Sequence, residues 1–130
     1  MAAEQEHTIK LDRVGNQDVG RVGGKNASLG EMIANLADQG VSVPPGFATT
    51  VSAYWEFVEA NNLKQVIKDA RADVDAGKSS SRQASETIRQ AFVDADWPSA
   101  TADAIRQSYR QLCEETGQAD IPVAVRSSAT

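Results

Sequence analysis

Apolar residues recur along this chain in two rhythms, and the rhythms mark out its elements. Leu29, Met32, Ile33 and Leu36 fall at i, i+3, i+4 and i+7, the spacing of one apolar helix face. Ser28 and Glu31 have the S-x-x-E spacing of a capping box, and Gly40 stands where a C-terminal cap belongs. A second helix is predicted through AYWEFVEANN, capped by Ser52, with Tyr54, Phe57 and Val58 facing inward. A third begins at Leu63, uses Val66, Ile67, Ala70 and Val74, and ends at Gly77. After the polar break GKSSSRQ, helical spacing resumes with Ala84, Ile88, Ala91 and Phe92 and stops near Trp97 and Pro98. The last helix takes Ser99 as its N-cap, buries Ala102, Ile105, Tyr109 and Leu112, and closes before Gly117.

The other rhythm is shorter and alternating. TIKL at 8–11 and FATT at 47–50 read as short strands, and Val123 and Val125 of IPVAVRSSAT alternate like a third. DRVGNQDVGRVGGK, between the first strand and the first helix, reads as a glycine-punctuated loop, and Pro44-Pro45-Gly46 breaks regular structure before FATT. The expected fold class is α/β (α+β), helix-rich, with a short sheet that stops just past its last strand. A strand edge left bare in that way is an association hazard, so the sequence reads as an incomplete domain over 1–130.

Composition narrows the function classes. With 130 residues, 41% hydrophobic and 24% charged, the chain has the makeup of one soluble globular domain. A formal net charge of -5 with mixed signs argues against nucleic acid as a partner, while leaving room for a local cationic pocket. One cysteine, Cys113, allows no internal disulfide and no cysteine-based zinc site, and it reads as structural. MAAEQEHTIKLDRVG lacks the apolar core of a secretory leader, and no run approaches the ~20 apolar residues of a membrane span. The expectation is a cytoplasmic protein with no membrane partner.

Two stretches could carry chemistry. Gly23, Gly24 and Lys25 stand directly before a helix. The P-loop pattern does not fit, since position 19 is Val19 rather than glycine and position 26 is Asn26 rather than Ser or Thr. Yet glycines permit close backbone approach, a helix N-terminus carries partial positive charge, and lysine meets a phosphate as a point charge. The competing reading is a plain turn with a solvated lysine. Arg126, at a strand end and followed by Ser127 and Ser128, offers a planar fork and two hydroxyls to an anion, against the commoner case of a surface arginine. His7 has no patterned partner for catalysis, and the acids of RADVDAG show no metal-loop spacing. Trp55 and Trp97 read as packing or partly exposed residues.

Taken in series, VGGKNASLGEM, GVSVPPGFATT and VAVRSSAT resemble the N-terminal part of the phosphoenolpyruvate-utilising dikinases. That family contains phosphoenolpyruvate synthase (pyruvate, water dikinase), pyruvate, phosphate dikinase and rifampin phosphotransferase. The KNASLGEM wording favours the synthase branch. The resemblance covers 12–58, fades through the helical middle and returns at 122–130. It implies the first lobe of an ATP-grasp nucleotide-binding domain, with Lys25 and Arg126 reaching ATP phosphates and Gly23 and Gly24 as close-approach glycines. Ser127 and Ser128 would begin a loop over the nucleotide.

The resemblance further implies that ATP phosphorylates a histidine on a mobile domain, which delivers the group to pyruvate to give phosphoenolpyruvate, AMP and phosphate. No catalytic residue and no metal ligand is expected within 1–130. The second lobe with its Mg²⁺-binding acids, the phosphohistidine domain and the pyruvate-binding barrel would all lie beyond it. The isolated chain is therefore not expected to turn over. A homo-oligomer is compatible with the sequence. The alternatives are a lobe of one of the related phosphotransferases, or a free-standing module that binds a nucleotide or a partner chain.

Overall fold

A computed structural model describes residues 6–130 of the chain. These divide into two compact units, one made of residues 6–54 with Ser99–Thr130 and the other of Trp55–Pro98.

The first unit is built on a two-stranded antiparallel ladder of β1 (Thr8–Lys10) and β2 (Phe47–Thr49), in which Ile9 faces Ala48. Thr50 N donates to the His7 carbonyl at 3.0 Å and Leu11 N to that of Gly46 at 3.0 Å, extending the pairing at both ends. Between the strands the chain makes two 3-10 turns (Leu11–Arg13 and Asn16–Asp18), a single helical turn α1 (Val19–Val22) and the helix α2 (Gly24–Leu36). The core joins Ile9, Leu11, Val14, Val22 and Ala48, and Leu29 and Ile33 of α2 pack onto it. Full burial of an aliphatic side chain of this size stabilises by about 1.5–3 kcal/mol. Helix α6 (Ser99–Thr116) lies along β1, where Thr8 Oγ1 and Ser108 Oγ share a hydrogen bond of 2.7 Å and Lys10 pairs with Glu115.

Several expected features differ here. The stretch read as an open loop is a chain of tight turns, because acidic side chains satisfy its backbone donors. Gly15 N donates to Asp18 Oδ2 at 3.0 Å and Asn16 N to Glu31 Oε1 at 2.8 Å. Glu31 is thus engaged by a turn fifteen residues upstream and does not form a capping box with Ser28, which lies inside α2. Met32, counted on the apolar face, is 40% exposed, while Ala27 and Gly30 are buried. Gly40, with φ 77°, does close the 3-10 turn that continues α2.

Helix α3 (Val51–Ala60) starts earlier than expected. Its cap is Thr50, whose Oγ1 accepts from Ala53 N at 3.2 Å and donates to the Glu6 carbonyl at 2.7 Å. Tyr54, expected inside, is 47% exposed. Val123 and Val125 do not form a strand. Among the described residues no ladder partner meets them, and Val125 is 92% exposed.

The second unit contains the end of α3, α4 (Leu63–Asp75) and α5 (Ser81–Asp94). Phe57, Val58 and Leu63 form its core, with Ala91, Phe92 and Ala95 against them. Phe57 lies 6.0 Å from Phe92 and 5.0 Å from Trp97 between ring centroids, within the range for favourable aromatic pairs. Asn61 closes the unit by accepting from Asp96 N and donating to the Asp96 carbonyl, each at 2.9 Å. Ser80 and Gln83 make the capping box of α5. No helix among the described residues is long and apolar enough to cross a membrane.

Two predictions arise from the first unit. A Cβ at Gly30 would strike the Val14 carbonyl and come within 2.8 Å of Val14 Cγ2, so this helical glycine marks where α2 lies on the Leu11–Val14 backbone. Alanine normally favours a helix over glycine by about 1 kcal/mol, but here overpacking of about 1–3 kcal/mol reverses the sign. Denaturant unfolding is expected to show Gly30→Ala destabilised, whereas Gly20→Ala, with no atom within 4 Å of the added carbon, is neutral or stabilised. Equal behaviour of the two variants contradicts this packing.

The second concerns Asp18, whose carboxyl is held below its ordinary value of 3.8 by the Gly15 N–H and then by the Arg21 guanidinium. A folded-state value below the unfolded one means stability that is present above pH 3.8 and lost as pH falls through the lower folded value. Asp18→Asn should therefore melt below wild type at pH 7, with the gap closing in acid below pH 3.8. A gap independent of pH contradicts the assigned charge interaction.

Candidate anion-binding corner

The two stretches singled out for chemistry meet. Helix α1 ends as Gly23 N donates to the Val19 carbonyl at 2.8 Å, and Gly23 then takes φ 83°, a left-handed value that favours glycine. From there α2 begins, and its first amides need partners from outside the helix. They find them on the segment that follows Arg126. Gly24 N donates to the Ala129 carbonyl at 2.8 Å, and Asn26 N donates to Ser128 Oγ at 3.2 Å. Ser128 thus acts as the side-chain cap of α2 from 102 residues away in sequence. Asn26 adds a local brace, its Nδ2 donating to the Val22 carbonyl at 2.9 Å.

Contact at this corner is close because Gly23 has no side chain. A Cβ there would collide with the Ser128 hydroxyl and carbonyl and lie 2.6 Å from the carbonyl carbon. Gly23 is buried, and Ser128 is what covers it. At Gly23 the close approach is therefore made by the chain itself, whereas a Cβ at Gly24 would meet nothing nearer than the Ala129 carbonyl oxygen at 3.9 Å. The helix-terminal donors of Gly24 and Asn26 are satisfied internally.

The other end of the terminal segment is also tied. Tyr109 Oη donates to the Ile121 carbonyl at 2.8 Å, so residues 121–129 run between an anchor on α6 and an anchor on α2. Arg126 and Ser127 lie between these anchors and are exposed, as is Lys25 between Gly24 and Asn26. The structure therefore brings the backbones carrying Lys25 and Arg126 to one corner of the first unit.

The charges around the corner are divided. Arg21 is committed, with NH1 3.0 Å from Asp18 Oδ1 and NH2 3.4 Å from Glu6 Oε2, and Glu6 also holds Arg13 at 3.1 Å. Among the described residues no carboxylate lies within ion-pair distance of Lys25 or Arg126. Lys25 and Arg126 are thus two cations without acidic partners among the described residues, on segments held together by the Ser128–Ala129 clasp. Among the described residues no group of three His, Cys, Asp or Glu side chains could hold a metal ion.

Lys25, Arg126, Gly23, Gly24, Ser127 and Ser128 are the residues the sequence singles out, and the structure adds Asn26 and Tyr109 as groups that organise the same segments. Asn26 stands out in the sequence only as a departure from the P-loop pattern, and nothing local ties Tyr109 to Ile121 beyond their spacing.

Comparison with known proteins bears on this arrangement. The family described as "Pyruvate phosphate dikinase, AMP/ATP-binding domain" matches residues 19–130, which takes in both halves of the corner. Phosphoenolpyruvate synthase of Pseudomonas aeruginosa (strain UCBPP-PA14) is 46% identical over 127 residues, covering 96% of this chain and 16% of that protein. The enzyme of the same name from Synechocystis is 44% identical over 125 residues, 92% of this chain and 15% of the relative. That of Escherichia coli (strain K12) is 44% identical over 121 residues, again 92% and 15%. The chain thus spans 15–16% of the length of these curated relatives. With the match running through Gly23–Lys25 and on to Ser128, the chain belongs to the pyruvate phosphate dikinase AMP/ATP-binding domain family.

Proposed function

We propose that this chain is the ATP-binding portion of a phosphoenolpyruvate synthase, the first lobe of an ATP-grasp domain, and that Lys25 and Arg126 hold the nucleotide's phosphates. The observation that carries the reading is the clasp of Ser128 and Ala129 on the start of α2 in a chain of the AMP/ATP-binding family. It draws together two cationic positions that stand 101 residues apart in sequence and lack acidic partners among the described residues. The relatives named phosphoenolpyruvate synthase supply the reaction class.

In this reading the whole enzyme converts pyruvate, ATP and water to phosphoenolpyruvate, AMP and phosphate through a phosphohistidine. Neither the histidine nor the pyruvate site belongs to this chain. Its task is to bind and orient ATP. Lys25 contributes a compact positive charge, Arg126 a planar fork that donates to two phosphate oxygens at once, and Ser127 a hydroxyl beside it. Both cations act on charge that shifts as the phosphoryl group leaves, the dominant protein contribution in phosphoryl transfer. Gly23 serves indirectly, by admitting Ser128, and Gly24 through its N–H, which donates to the Ala129 carbonyl.

The test is ATP-dependent phosphorylation of the intact natural protein. Lys25→Ala should lower it by about tenfold to a thousandfold, the range seen when one charge-stabilising group is removed. Arg126→Lys should also impair it, because a point charge does not replace a bidentate fork. Wild-type rates in both variants contradict the assignment.

A further inference from the structure

We propose that Ser128 is a positioning residue for ATP, holding Arg126 at the Lys25 corner through its seat on Gly23; this rests on the nucleotide reading above. Three observations support it. The Ser128 backbone fills the space that a side chain at Gly23 would occupy, so contact there has no slack. Its hydroxyl accepts from Asn26 N at 3.2 Å, on the residue next to Lys25. The residue after it accepts from Gly24 N at 2.8 Å, on the other side of Lys25.

Arg126 itself makes no ion pair with the described residues that would fix its backbone. Its location is set by the anchors on either side, Ile121 on Tyr109 and Ser128–Ala129 on α2. The α2 anchor is the nearer one, two residues away against five. Residues 122–127 are otherwise exposed and carry no ladder pairing. Losing the Ser128 hydroxyl removes one of the two hydrogen bonds of the α2 anchor and should therefore let Arg126 spend more time away from the phosphate, weakening ATP binding without removing Lys25 or Arg126.

A double-mutant cycle separates positioning from general stability. ATP affinity is measured by calorimetry on the intact natural protein, in wild type, Ser128→Ala, Arg126→Ala and the double variant, with Ser128→Thr as the conservative replacement. If releasing the Ser128 hydroxyl leaves Arg126 at the corner in about a fifth of molecules, the apparent ATP affinity falls by about fivefold. The expected result is about fivefold weaker binding in Ser128→Ala and recovery in Ser128→Thr. In the Arg126→Ala background, Ser128→Ala should have no further effect, because there is no fork left to position. A loss of equal size in both backgrounds overturns the proposal, since it marks a merely structural residue. Unchanged affinity in Ser128→Ala, with Arg126→Ala impaired, overturns positioning while leaving the ATP reading intact. Unchanged affinity in Arg126→Ala overturns both.

Discussion

The first unit is organised around a contact in which a serine backbone rests on a glycine. Gly23 lies at φ 83° between α1 and α2, and Ser128 occupies the place of its absent side chain. Because the approach is so close, the Ser128 hydroxyl and the Ala129 carbonyl reach the first amides of α2, and a helix that starts without a local side-chain cap is capped from the far end of the sequence. Bringing such distant segments together carries a loop-closure cost. The contacts of α6 with β1, and of Tyr109 with Ile121, narrow the search by delivering the terminal segment to the right side of the unit.

The charge distribution follows from that arrangement. The chain is acidic overall, and the arginine nearest the glycine pair, Arg21, is neutralised by Asp18 and Glu6. Its role is to hold the turn that launches α1. Lys25 and Arg126 have no such partners among the described residues. A local excess of positive charge on an acidic chain is what a selective anion site requires, since it attracts phosphate without creating a broad basic face. This is also why net charge, though it argued against nucleic acid, had little to say about a nucleotide.

Much of the fold was legible in the sequence because its signals are local. Helices α4, α5 and α6 have apolar spacing and clear ends, and Gly40 and the FATT strand behave as their chemistry dictates. Two of the misreadings share one cause, a distant partner overriding a sound local pattern. Ser28 and Glu31 have capping-box spacing, but Ser128 caps the helix four residues earlier and Glu31 serves Asn16. Val123 and Val125 alternate like a strand, yet a strand needs a partner, and the segment's bonds go to Tyr109 and α2 instead. The residues of the corner were legible one at a time. That Gly23 seats Ser128 was not, because nothing in either stretch encodes its contact with the other.

In the proposed complex, ATP phosphates lie between Lys25 and Arg126 while Ser128 stays seated on Gly23. A crystal structure of the intact natural protein with a non-hydrolysable ATP analogue tests it most directly. The account predicts phosphate oxygens within hydrogen-bond distance of the Lys25 ammonium and the Arg126 guanidinium, with the Asn26 N to Ser128 Oγ bond retained. Phosphates bound elsewhere, or a phosphate in the place of Ser128 on the α2 amides, would contradict it.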